Sequence, residues 1–304
     1  MKGISARQFA IFRIVFGLYL TVHCIELLPY AAELFSREGM LSDPRLNFTS
    51  GILPNPLERW DSASFAVAFV GGLIGLSVAF TLGFCRRSVA LTLWFGWACL
   101  FNRNNLISNP SLPYVGMLLL LCIIVPAGEP LSLRRKRDQW VFPAGVYWAA
   151  WALLAAGYAF SGWTKLQSPS WIDGSALGHV LNNPLARPGL VRDAMLQFPT
   201  ALRLLTWATL ALELLFLPLS FHRVGRLVVW AAMCFLHLGI LLVVDFADLS
   251  AGMLMVHLFT FDPGWLPARR AADEPAPRLP GAARSLRWRK RAPCVLFRLA
   301  PHEN

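Results

Sequence analysis

The chain has 304 residues, of which 56% are hydrophobic and only 15% charged, with a net charge of +11 and 12 tryptophans. Soluble domains carry roughly 25% charged residues, so this composition excludes an ordinary soluble domain. The apolar residues gather in runs of about 17–25, long enough to cross a hydrocarbon core, which makes the expectation an integral membrane protein and not a nucleic-acid binder.

Eight apolar segments follow in chain order: about 8–30, 62–84, 87–102, 112–127, 140–164, 201–220, 225–244 and 249–266. They predict an all-α, polytopic bundle of about eight transmembrane helices forming one domain over 1–266, with a basic tail over 267–304. The first segment, "MKGISARQFAIFRIVFGLYL", is basic and then apolar, carries Arg13 within its run and lacks a small-residue cleavage site. It reads as a retained helix and not a signal peptide. In the second, "VGGLIG" sets Gly71 and Gly75 at the spacing that suits close helix packing. The last is interrupted by Asp262 and Pro263.

With the N-terminus placed in the cytoplasm, 19 Lys and Arg residues fall on inner segments, among them "CRRS", "LRRKRD", "FHRVGR" and the tail, against 8 on outer ones. This bias follows the positive-inside rule and puts both termini in the cytoplasm. The outer loops 31–61 and 166–200 are long, and long ordered loops are usually functional. The Pro- and Arg-rich tail is expected to be disordered and drawn to anionic lipid, with Trp288 among its basic residues. None of the six cysteines forms a C-x-x-C pair, so neither a disulfide framework nor a metal site is expected. Asn47-Phe48-Thr49 is a sequon in the first outer loop, meaningful only in a secretory eukaryotic setting.

Ionisable groups inside membrane helices are costly, which makes each a candidate site residue. Helix 1 holds Arg13, His23 and Glu26. Arg13 is within snorkelling reach of the inner headgroups, and His23 and Glu26 are i, i+3 neighbours that can pair near the outer interface. Glu213 and His237 sit in the middle of successive segments, either as an interhelical hydrogen bond or as a proton-handling pair. Asp245 ends the His237 segment, and His257 lies in the last.

Lys165 closes the stretch "YAFSGWTKLQ". A lysine beside tryptophan at a helix end is what an interfacial anchor looks like. The alternative is a desolvated amine serving as a base, in an apolar pocket built by Phe160, Trp163 and Trp171.

Taken in order, "FRIVFG", "LGFCRRSVALTLWFGW", "NNLISNPSLPYVGMLLLL", "YAFSGWTKLQSPSWIDGSAL" and "FLHLGILLVVDFADLSAGMLMV" resemble the membrane region of the vitamin K-dependent γ-carboxylases, also called the HTTM (horizontally transferred transmembrane) domain. The likeness runs over most of 8–262. It implies that Lys165 stands where the carboxylases carry the lysine that acts as base on vitamin K hydroquinone, after which glutamate loses a γ-proton and takes up CO2. Glu213 stands where the family has an acidic residue, and His237 lies on its histidine-bearing helix. Reduced vitamin K or another quinol is the implied cofactor. Three features depart from the pattern. The family's loop histidine has no counterpart at Asn109, Pro110 or Ser111, and its second lysine falls on Thr164. The family's large extramembrane domain also has no counterpart in these residues.

In size the chain resembles the stand-alone bacterial branch that includes the membrane factor maturing a sporulation-delaying peptide toxin. The implied setting is a bacterial inner membrane, with lipid around the bundle and a secreted peptide or a partner protein at its outer face. The leading expectation is an enzyme acting on an exported peptide, with Lys165 as base or binding amine and Glu213 and His237 in support. The alternatives are a non-catalytic maturation or export partner, and a transporter.

Overall fold

A computed structural model describes residues 3–133 and 139–266. The arginines and lysine of the 134–137 loop and the tail with Trp288 and Cys294 lie outside the described residues. Met1–Trp265 form one compact unit, and of the second unit, Leu266–Asn304, only Leu266 is described.

Every apolar segment carries a helix: α1 (Ala6–Leu27), α2 (Ala63–Thr81), α3 (Arg86–Arg103), α4 (Leu112–Ile124), α5 (Ala144–Lys165), α6 (Pro199–Ser220), α7 (Arg223–Val243) and α8 (Ala247–Thr260). No strand occurs among the described residues. Local chemistry sets the ends. Ser5 and Ser62 accept hydrogen bonds from the Gln8 and Phe65 amides, so each caps the helix that follows. Pro113, Pro199 and Pro263 fall at first turns, where a missing N–H costs nothing. The last segment ends as a helix at Thr260, just before Asp262 and Pro263. By length and composition, four stretches among the described residues can cross a membrane: Ala6–Phe35, α2, α6 and α7. The helices α4 and α8 are short, at 13 and 14 residues. Outward faces of α1 and α7 carry exposed Leu18, Val22, Phe235 and Leu242, as a lipid-facing surface requires.

Helix α1 packs on α2 and α8, α3 on α4, and α5 on α6. The close glycine contact is not where the sequence placed it. A methyl group on Gly71 or Gly75 meets nothing, because both face away from the bundle, whereas one on Gly17 would overlap Thr81 of α2. Gly17→Ala should therefore cost about 1–3 kcal/mol through overpacking, measured by thermal unfolding in detergent, and Gly71→Ala should be near neutral.

Arg13 does not snorkel. It is fully buried and donates to the Phe80 carbonyl at 3.0 Å and to the Thr81 and Leu131 carbonyls, with its Nε 3.3 Å from Glu129. Arg86, also buried, donates to Glu129 at 2.8 Å, to Val125 and Pro126 carbonyls at 2.9 and 2.8 Å, and to Cys122. Two guanidiniums thus bond carbonyls at and just beyond the ends of α2 and α4 around one carboxylate. The turn between α2 and α3 must be tight here: Gly83 has φ +72°, and a methyl group on it would press on the Arg13 guanidinium.

At the opposite ends of these helices, the 31–61 loop is held by buried polar side chains. Arg103 donates to Leu41 and Ser36 carbonyls, Asn104 to Leu34 and Asn55 to Cys99. Asn47 is 2% exposed and its amide donates to the Asn102 carbonyl, so the sequon serves packing. Helix α5 is fastened to α8 near its start: Tyr147 and Trp151 both donate to the Thr260 carbonyl, at 3.2 and 3.1 Å.

Candidate functional site

Helix α5 presents Tyr158, Ser161 and Lys165 in steps of three and four residues, which is one helical face. That face looks across a cavity of about 330 Å³ towards Thr209 and Glu213 of α6, Leu236, His237 and Ile240 of α7, and Met253 of α8. Tyr114 of α4 and Trp171, Leu177 and Val180 of the 166–198 segment close it. Most of the lining is apolar.

Lys165 Nζ is 2.6 and 2.8 Å from the two Glu213 carboxylate oxygens and 2.7 Å from Ser161 Oγ. All three ammonium hydrogens are therefore engaged, and the pair is electrically neutral as a unit. Trp171 lies with its ring centroid 4.9 Å from the same nitrogen, a cation–π contact. The amine is one-fifth exposed and Glu213 is buried, so the pair sits at the edge of the cavity and is not free at the interface.

Glu213 and His237 line the same cavity, but they do not bond each other. Glu213 bonds Lys165, whereas His237 Nε2 is 2.9 Å from the Tyr158 hydroxyl and its Nδ1 is 3.3 Å from Ser250 Oγ. His257 lies behind them. Its Nδ1 donates to the Met253 carbonyl at 2.9 Å, and its ring stands 5.9 Å from that of His237.

Phe160 and Trp163 take no part. They are 68% and 61% exposed and absent from the lining. Two residues along a helix is a turn of about 200°, so side chains at i−2 and i−5 from Lys165 point away from its partners. The spacing alone carried that signal, and it also marked Tyr158 and Ser161.

The 166–198 segment is a cap of short helices, Pro169–Ile172, Ala176–Leu181 and Leu190–Leu196. It is tied to α6 by the Trp207 indole N–H donating to the Ile172 carbonyl at 3.0 Å. It is tied to the α7–α8 junction by an antiparallel bridge, Ala186 to Val244, where Arg187 N donates to Val243 at 2.8 Å and Asp245 N to Leu185 at 2.7 Å. The Asp245 carboxylate is exposed and pairs with Arg187 at 3.3 Å. An apolar cleft of about 410 Å³ between α6 and α7 shares Leu177, Thr209, Leu236 and Ile240 with the Lys165 cavity.

A second polar cluster joins α1, the turn before α4, and α8. The His23–Glu26 pair does not form, because Glu26 faces outward. His23 Nδ1 is 2.8 Å from Asp248 Oδ1, which also accepts from the Tyr19 hydroxyl at 2.8 Å, while Asn109 donates to Oδ2 at 2.7 Å. The loop position that lacks the carboxylase histidine is thus built onto a carboxylate from α8. Asp248→Ala would orphan three donors, two of them on buried residues, and should lower stability by about 2–3 kcal/mol, read from thermal unfolding, with Asp248→Asn losing roughly half as much.

A family model for the HTTM domain matches residues 2–265, nearly the whole described unit. The chain belongs to the HTTM domain family. This is a membrane family related to the vitamin K-dependent carboxylases, in accord with the apolar helices. Neither a curated protein nor a solved structure matches this HTTM chain.

Proposed function

We propose that this HTTM protein modifies an exported peptide at the Lys165 cavity, using a lipid-soluble quinol, in a bacterial inner membrane with its N-terminus in the cytoplasm. The observation that carries the reading is the Lys165–Glu213–Ser161 constellation in an otherwise apolar cavity. Ligand sites have this composition: mostly hydrophobic walls with a few converging polar groups. A quinol ring fits about 330 Å³, and the adjoining apolar cleft has room for a tail. When bound, a quinol supplies an oxidisable ring whose reaction with oxygen yields a stronger base than any side chain.

The chain's own groups hold and move a proton at Lys165 Nζ. Shifting one proton along the 2.6 Å contact converts ammonium–carboxylate into amine–carboxylic acid with no other atom displaced. Glu213 then holds the proton and donates it to the Lys165 lone pair, and the amine acts on the ligand only when that hydrogen bond turns away from it. Trp171 and the apolar walls keep water from competing for that amine.

A second reading is a non-catalytic maturation partner in which Lys165 and Glu213 only fasten α5 to α6. Full engagement of the ammonium hydrogens favours it. Mass spectrometry of a secreted peptide, expressed with and without this chain, separates the two. A mass change dependent on the chain supports the enzyme, and an unchanged peptide that still requires the chain for export supports the partner.

A further inference from the structure

Two phenols face the Lys165 cavity, and neither is explained by the ion pair. Tyr114, from α4, has no hydrogen-bond partner for its hydroxyl among the described residues. Tyr158, from α5, has one, His237 Nε2 at 2.9 Å. The Tyr114 hydroxyl lies against the backbone of Gly157, where any side chain would overlap it. A glycine in mid-helix costs about 1 kcal/mol relative to alanine, and here it makes room for one oxygen atom next to Tyr158.

The His237 contacts allow two proton arrangements. In one, the Tyr158 hydroxyl donates to Nε2 and Nδ1 donates to Ser250. In the other, Ser250 donates to Nδ1, Nε2–H donates to the Tyr158 oxygen, and the phenol hydrogen is released towards the cavity. In the second arrangement, Tyr114 and Tyr158 both offer an O–H. Lys165 has none to offer, since its hydrogens go to Glu213 and Ser161.

We propose that Tyr114 and Tyr158 form a two-hydroxyl cradle for an uncharged carbonyl oxygen of the ligand, with Gly157 making the space and His237 positioning the Tyr158 hydroxyl. This rests on the reading of the cavity as a quinol site and adds which groups grip the ring in its oxidised, carbonyl-bearing form. It also sets the ligand's class. With the ion pair neutral as a unit and two hydroxyl donors facing inward, the cavity selects a neutral carbonyl compound over an anion.

The test is calorimetric titration of the full chain in nanodiscs with menadione, a short 1,4-naphthoquinone, and with 2-methylnaphthalene, which has the same ring without carbonyls. Tyr114→Phe and Tyr158→Phe are each expected to weaken menadione binding by about 5–10-fold, the worth of one hydrogen bond, and to leave 2-methylnaphthalene unchanged. Gly157→Ala should weaken menadione at least as much. Infrared difference spectra should show the bound carbonyl stretch lowered in wild type and restored towards its free value in the Phe variants. Unchanged menadione affinity in both Phe variants overturns the cradle, as does equal weakening for both probes, which would mean packing alone. Wild type that binds neither probe overturns the quinone reading of the cavity and the cradle with it.

Discussion

Lys165→Met is expected to lower the yield of modified peptide by about 10³-fold, the scale of a lost acid–base group. The side chain keeps its length and apolar stem but can neither hold nor release a proton. Glu213→Gln still accepts a hydrogen bond from the amine while it can no longer take the proton, so it should lose about 10- to 100-fold. A structural role predicts otherwise, and one variant separates the two. Lys165→Met with Glu213→Leu replaces a mostly buried ion pair by apolar groups of similar size, which is often neutral or stabilising. That double variant should recover the melting temperature lost in the single Lys165→Met variant and remain inactive. Recovery of activity together with stability would show that the pair only braces α5 against α6. The comparison is made by peptide mass spectrometry beside thermal unfolding of each purified variant.

Glu129→Ala is expected to destabilise the fold by about 3–5 kcal/mol, the cost of leaving buried charge without its partner. Here one carboxylate, 2% exposed, serves both Arg13 and Arg86, and neither guanidinium reaches water. Glu129→Gln keeps the shape and one acceptor, so it should lose less than Ala while still removing the charge. Arg87, one residue along and exposed, donates among the described residues only to the Ile123 carbonyl, and Arg87→Ala should cost under about 1 kcal/mol. Chemical unfolding in mild detergent, followed by tryptophan fluorescence, orders these variants. Comparable losses at Arg87 and Glu129 would show that the buried knot is not the stronger contributor.

The positions of the helices were legible because apolar runs and their polar breaks lie close together in the chain. The pairings were not. Lys165 and Glu213 each stood out as ionisable groups in apolar surroundings, but they are separated by 48 residues, and no local pattern joins them. Arg13 reads as a snorkelling residue because its counter-charge, Glu129, lies beyond the end of α4 in what the sequence presents as a loop. Asp248 escaped notice for a similar reason: in the first turn of a helix an acidic residue is usually explained by the helix dipole. Its three partners come from α1 and the turn before α4. The choice of Phe160 and Trp163 failed on evident periodicity, since nearness along a helix is not nearness in space.

The groups that α5 brings to the cavity, at 158, 161 and 165, share one azimuth, so rotating that helix about its own axis moves all of them together. Besides its contacts at the cavity, its rotational setting has an anchor far away, where Tyr147 and Trp151 grip the Thr260 carbonyl. Lys165 lies 18 residues from Tyr147, about 27 Å along the axis. Helix α5 therefore works like a key on a spindle: torque applied at the Thr260 end is read out as misalignment at the other. A substitution at Tyr147 or Trp151 that leaves the bundle folded can still detune the chemistry, without a single change among the residues that line the cavity.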